Sequence, residues 1–93
     1  DSYGPTLLAA LEYIAHIWGI ALVGDEVWFS LGSGLSYTYA QRFGDDVYEI
    51  KSDGRSGSIY KNRIAVGSAP CGVRLVTNRD GKNLRTVKIE EGV

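Results

Sequence analysis

The spacing of apolar residues changes at Gly19, and the two sides of that point predict different elements. Residues 7–18 are almost all apolar and are good or acceptable helix formers. Pro5 suits the first turn of a helix, because the N–H that it lacks would have no partner there, and Gly19 suits the end. The pattern therefore predicts one helix over residues 5–18.

The polar face of this predicted helix is narrow. Glu12 and His16 are four residues apart and share one face, and apolar side chains occupy most of the others. Such a helix is normally buried by neighbours on two sides, whereas one small sheet covers only one side. We therefore expect the isolated chain to self-associate through the uncovered helix face. The apolar stretch also falls short of the ~20 apolar residues that a membrane-spanning helix needs, so no membrane partner is expected.

After Gly19 the apolar residues follow a period of two or form short runs, which predicts an antiparallel β region over residues 20–91. The predicted strands cover residues 20–23, 27–31, 37–43, 47–51, 58–60, 64–66, 73–77 and 84–90. Turn signals separate them at short intervals, and this spacing indicates a sandwich or a curved sheet rather than βαβ units. Residues 67–72, which contain Pro70, are predicted to form a crossing loop.

Together these elements predict the α+β class, with one N-terminal apolar helix packed on a small antiparallel β-sandwich or curved sheet. The 93 residues form at most one domain, because chains of this length rarely divide their core further. The chain begins at Asp1 rather than at methionine, so we expect it to be a fragment of a longer protein.

Composition and charge narrow the partners that we expect. The chain is 44% hydrophobic and 23% charged, which is typical of a folded globular protein. Its net charge of −1 gives no reason to expect nucleic acid or an anionic membrane as a partner. A single cysteine, Cys71, excludes an internal disulfide and leaves the cellular compartment unknown.

The residues with reactive side chains favour structural over catalytic interpretations. Glu12 and His16 could form a metal or acid–base pair, but two ligands do not make a zinc site and no Cys/His cluster follows. Cys71 has only His16 as a candidate base, so a small buried side chain is the favoured interpretation. Aspartates at turns, such as Asp53, more often bond their own backbone than calcium. We therefore predict no catalytic residue, no metal site and no cofactor.

Aromatic residues are the strongest candidates for ligand binding, since the chain contains six tyrosines and two tryptophans. Tyr37, Tyr39 and Phe43 share one face of the strand predicted over residues 37–43. Such a row suits stacking against a sugar ring, but it also suits the inner layer of a sandwich, which we favour. The candidate ligand-binding residues are Tyr37, Tyr39 and Trp28.

Several segments resemble the C-terminal end of glycoside hydrolases with an (α/α)6 barrel. They are residues 4–12 (GPTLLAALE), 17–20 (IWGI), 27–30 (VWFS) and 71–77 (CGVRLVT). In that family the last barrel helix leads into a C-terminal antiparallel β-sandwich, and the catalytic carboxylates lie in the barrel. The resemblance implies a non-catalytic structural segment that supports a missing helical catalytic barrel. The alternative is an independent carbohydrate- or protein-binding β module.

Overall fold

The computed structural model describes residues 19–34 and 36–89, and these residues are all-β. Eight strands follow one another along the chain: β1 (Ile20–Val23), β2 (Glu26–Ser30), β3 (Ser36–Phe43), β4 (Asp46–Asp53), β5 (Ser56–Lys61), β6 (Ile64–Pro70), β7 (Val73–Asn78) and β8 (Arg85–Lys88). Most of the strands predicted from the sequence are confirmed with bounds shifted by one to four residues. Within these described residues no helix is long and apolar enough to cross a membrane.

The strands form two antiparallel four-stranded sheets. The first sheet has the order β1-β2-β7-β8, and the second sheet has the order β3-β4-β5-β6. The chain therefore passes from the first sheet to the second after β2 and returns after β6. The two sheets are joined where the hydroxyl of Tyr48 on β4 donates a 2.7 Å hydrogen bond to the carbonyl of Arg79, which follows β7.

The core lies between the two sheets. It contains Ile20, Val27, Phe29, Leu31 and Leu75 of the first sheet with its adjoining turn, and Tyr48, Ile50 and Ile59 of the second. The Phe29 and Tyr48 rings meet edge to face with their centroids 5.9 Å apart. At Gly57 a Cβ atom would lie 3.0 Å from Leu31 Cδ2, so glycine lets the two sheets approach closely. Burial of these side chains stabilises the sandwich through the hydrophobic effect.

The predicted α+β class is wrong, because the described residues form two facing sheets and contain no helix. The curved single sheet is wrong for the same reason, and the sandwich form is confirmed. Each sheet covers the apolar face of the other, so the core lies between two layers of strands. The predicted helix over residues 5–18 lies outside the described residues.

The predicted crossing loop over residues 67–72 is also wrong for most of its length. Strand β6 continues to Pro70, and only Cys71 and Gly72 form the turn into β7. Proline is tolerated here because β6 is an edge strand of its sheet and Pro70 is its last residue. Gly67 belongs to the same strand, and the side chain of Leu84 lies against it, 2.6 Å from where a Cβ would be.

Candidate functional site

Two of the three aromatic residues predicted to bind a ligand lie between the sheets. Tyr37 and Tyr39 are half-buried and pack against the core, as Phe43 does. The Tyr37 hydroxyl donates to the carbonyl of Ser30 at 3.3 Å and accepts from the N–H of Gly32 at 3.2 Å, so it joins the second sheet to the first. Burial raises the pKa of Tyr37, partly offset by the hydrogen bond from Gly32.

The third candidate, Trp28, lies on the other side of the first sheet. Its neighbours Val27 and Phe29 point into the core, so strand alternation places the indole on the outer face. The Arg74 guanidinium lies over the ring at 4.8 Å from its centroid, and the indole N–H donates to Glu26 at 3.4 Å. The structure therefore does not bring Trp28 together with Tyr37 and Tyr39 in one site.

The outer face of the first sheet is buried at its centre. Val76 pairs with Trp28 and has no exposed surface, yet it does not belong to the core between the sheets. Ser30 is also fully buried on this face, where its hydroxyl accepts a 3.0 Å hydrogen bond from Arg74 Nε. Burial lowers the pKa of Arg74, which indicates that its guanidinium is partly removed from water. This side of the sheet is a covered surface.

The outer face of the second sheet is different, because one aromatic ring lies there among small side chains. Tyr60 follows the fully buried Ile59 and therefore points away from the core. Glu49 on β4 and Ala65 on β6 flank it directly across the sheet. The remaining outward residues around it are mostly small and mostly exposed: Ala40, Thr38, Ser58 and Ser68. The result is a surface of mostly small side chains around one half-buried ring.

Charged side chains flank this ring on both sides. The Lys51 ammonium lies 4.9 Å from the centroid of the Tyr60 ring. On the other side, a shallow groove of about 330 Å³ is lined by Val47, Glu49, Asn62 and Arg63. Neither the Glu49 carboxylate nor the Arg63 guanidinium forms a hydrogen bond or ion pair in the part of the chain that the structure describes. The groove thus offers one free acceptor group and one free donor group.

The groove takes its shape from the tight β5–β6 turn. Asn62 and Arg63 both have positive φ, 51° and 70°, as the two central residues of a type I′ turn require. Asn62 fixes the turn to β4, since its side-chain oxygen accepts from the N–H of Val47 at 2.9 Å and its amide donates to Asp46 at 3.0 Å. Arginine is unusual in this conformation, which costs a non-glycine residue ~1 kcal/mol.

The remaining candidates from the sequence have structural surroundings or lie outside the described residues. Cys71 is a free, half-buried thiol whose sulfur lies 3.3 Å from the Ser52 hydroxyl. Asp53 accepts from the N–H groups of Arg55 and Ser56, and these two hydrogen bonds lower its pKa. The expectation that turn aspartates bond the backbone is therefore confirmed at Asp53. Glu12 and His16 lie outside the described residues.

Across residues 19–34 and 36–89, no group of three or more histidine, cysteine, aspartate or glutamate side chains could hold a metal ion. Sequence reasoning missed the cluster of Tyr60, Glu49 and Arg63, which unites β4, β5 and a turn. One signal for it was present, because alternation around Ile59 already places Tyr60 on the face opposite to the core. Glu49 and Tyr60 lie opposite each other because of the register between β4 and β5, which the sequence pattern does not specify.

No protein family model matches the chain, and no curated protein or solved structure is significantly similar to it.

Proposed function

We propose that this chain is a non-catalytic structural β-sandwich of a longer carbohydrate-active protein, and that its first sheet faces the rest of that protein. One observation carries the proposal: Val76 and Ser30 are fully buried on the side of the first sheet that faces away from the core. Atoms of the chain itself bury these side chains, so the outer side of the first sheet is a packed layer rather than a solvent-exposed surface, which is consistent with a sheet that has a further layer beside it. The second sheet is the layer that faces solvent.

The nature of the parent protein comes from the resemblance between this chain and the C-terminal end of (α/α)6-barrel glycoside hydrolases. In this proposal the sandwich supports a helical catalytic barrel, which supplies the catalytic carboxylates. The inward tyrosines are consistent with a supporting role, since Tyr37 and Tyr48 both form hydrogen bonds from the second sheet to the first sheet or its adjoining turn. Such cross-sheet hydrogen bonds hold the two layers in one fixed arrangement.

The first test is to read the open reading frame upstream of the codon for Asp1. We expect a frame of several hundred codons that encodes helical hairpins. The longer protein is then compared with a form lacking residues 19–89, for thermal unfolding and for glycosidase turnover. We expect a lower melting temperature and an unchanged turnover number for the molecules that stay folded. A start codon directly before Asp1, or an unchanged melting temperature, would contradict the proposal.

A further inference from the structure

The outer face of the second sheet combines features that suit a flat, uncharged and hydroxyl-rich ligand. Its centre is the Tyr60 ring, and the small residues around that ring leave room for a ligand to lie across the strands. An aromatic face attracts polarised C–H groups, while hydroxyl groups require hydrogen-bonding partners at the edge of the ring. The structure provides both within one surface.

The hydrogen-bonding partners are Glu49 and Arg63, which line the same groove beside the ring without pairing to each other. A carboxylate accepts hydrogen bonds from hydroxyl groups, and a guanidinium donates them. Among the residues that line the groove, the opposite charges of these two groups cancel, and Lys51 adds one positive charge on the other side of the ring. A ligand that both donates and accepts, and that carries no charge of its own, complements this pair best.

We propose that this face binds a neutral oligosaccharide, with one sugar ring stacked on Tyr60 and its hydroxyl groups bonded to Glu49 and Arg63. A pyranose ring has apolar C–H faces and a rim of hydroxyl groups, so it matches an aromatic face flanked by a donor and an acceptor. The open shape of the groove lets further sugar units extend over the small residues of β3 and β6. The site does not depend on the structural role proposed above.

Lys51 should weaken saccharide binding, whereas Glu49 and Arg63 should favour it. Its ammonium lies over the Tyr60 ring, where an exposed cation–π contact stabilises by ~0.5–1 kcal/mol. A sugar that stacks on the ring must displace this ammonium into water. Removal of the Lys51 side chain should therefore strengthen saccharide binding, by about two- to fivefold if the whole contact is recovered.

The arrangement of the β5–β6 turn gives an independent reason to assign binding to this groove. Glycine would hold the positive φ of Arg63 without strain, yet the chain places an arginine there. Residues held in an unfavourable backbone conformation cluster at functional sites, where the cost is offset by a contact that the site needs. Hydrogen bonding to a ligand gives this strained arginine a role.

The test is a titration of the isotope-labelled 93-residue chain, followed by backbone amide NMR. The probes are neutral glucose hexasaccharides, one β-1,4-linked and one α-1,4-linked, at up to about 10 mM, which detects dissociation constants in the millimolar range. We expect at least one of them to shift the amides of Glu49, Lys51 and Tyr60. Amides on the first sheet, such as that of Val87, should not move.

Variants then separate stacking from nonspecific contact. Tyr60→Ala should weaken binding by at least about tenfold, while Tyr60→Phe retains the ring and should retain binding. Lys51→Ala should bind more tightly, and Lys88→Ala on the first sheet should bind like the original chain. Circular dichroism and thermal unfolding establish that each variant is folded before it is titrated.

Three outcomes would overturn the proposal. The first is the absence of any shift at Tyr60 and its neighbours with both hexasaccharides. The second is equal binding by folded Tyr60→Ala and by the original chain. The third is saturable binding of a hexaglutamate peptide with no response to either sugar, which would assign this face to an acidic protein partner. None of these results bears on the covered face of the first sheet, so the structural proposal is tested separately.

Discussion

The two outer faces of the sandwich have opposite character although both belong to four-stranded antiparallel sheets. On the first sheet Val76 is fully buried beside Trp28, and Arg74 lies over the indole ring. On the second sheet the corresponding central position holds Tyr60, which stands half-buried among small and mostly exposed residues. One face is a packed layer, whereas the other is an open surface.

This difference can be traced to the strands at the centre of each sheet. In β7, three consecutive residues (Leu75, Val76 and Thr77) are at most 1% exposed, so both faces of the strand are covered. In β5, burial alternates, with Ile59 fully buried and Tyr60 half-buried. An uninterrupted buried run is typical of a strand covered on both faces, and alternation is typical of a strand covered on one. Burial on both faces of β7 shows that atoms of this chain also cover the side of the strand that faces away from the core between the sheets.

The largest change in stability is expected when a charged residue is placed on the outer face of the first sheet, and the same charge on the second sheet is the comparison. Val76→Asp should lower the free energy of unfolding by ~3–5 kcal/mol, because a carboxylate without a partner would enter a fully buried position. A loss of that size can unfold a domain of this length. Val76→Ala, which only removes apolar volume, should cost ~1–2 kcal/mol and keep the chain folded. Urea denaturation followed by circular dichroism measures both.

The matched control is Thr38→Asp, which places the same charge on the exposed outer face of the second sheet. Its effect should stay within ~0.5 kcal/mol, as is usual for surface substitutions. Equal losses for the two aspartate variants would show that the faces do not differ in burial. The contrast drawn between them would then be wrong.

A smaller effect is expected when the hydroxyl group is removed from the inward Tyr48, and the outward Tyr60 gives the comparison. Tyr48→Phe removes the 2.7 Å hydrogen bond to the carbonyl of Arg79 and should lower the free energy of unfolding by ~0.5–1.5 kcal/mol. Tyr60→Phe removes a hydroxyl for which the described residues show no hydrogen bond, and should have little effect. Thermal and urea unfolding of the two variants give the comparison. A larger loss for Tyr60→Phe would contradict it.

The parts of the fold that depend on local sequence signals could be predicted, whereas those that depend on residues far apart in the chain could not. Turns such as Gly24-Asp25 and Asp53-Gly54 separate apolar runs, so the strands around them were predicted close to their observed positions. Strand β6 was predicted too short, because Pro70 suggests a loop wherever the edge position of its strand is unknown. The pairing of β2 with β7 joins residues almost fifty positions apart, and no local pattern specifies it.

The candidate site was harder to predict because its residues become neighbours only through register. Tyr37 and Tyr39 stood out as an alternating aromatic pair, but the same alternation serves a row that faces the core. Tyr60 is a single aromatic in its strand, and its neighbour Glu49 lies eleven positions away along the chain. The positive φ of Arg63 has no sequence signature, since a type I′ turn is normally recognised in a sequence by its glycine.

The β5–β6 turn allows stability and binding to be separated on the second sheet. Arg63→Gly should raise the free energy of unfolding by ~0.5–1 kcal/mol, because glycine adopts a φ of 70° without steric strain. The same change should weaken saccharide binding, since the guanidinium is lost from the groove. The control is Arg55→Gly in the β4–β5 turn, where φ is not positive and no gain is expected. A loss of stability in Arg63→Gly would mean that the arginine supports the fold.

The smallest effect concerns an exposed ion pair at the edge of the first sheet. Glu26 on β2 accepts hydrogen bonds from both terminal nitrogens of Arg85 on β8, and this contact holds the pKa of Glu26 below its ordinary range. A carboxyl group with a lowered pKa stabilises the fold above its unfolded pKa of about 4.3, and the contribution disappears as pH falls through the folded value. Melting temperatures between about pH 2.5 and pH 6 should therefore fall less steeply in Glu26→Gln than in the original chain.

Arg85→Gln should flatten this acid limb of the stability curve in the same way. The double variant should show no further change, because both substitutions remove the same contact. An unchanged acid limb in both single variants would assign the loss of stability to other carboxyl groups, of which the bonded Asp53 is the next to examine.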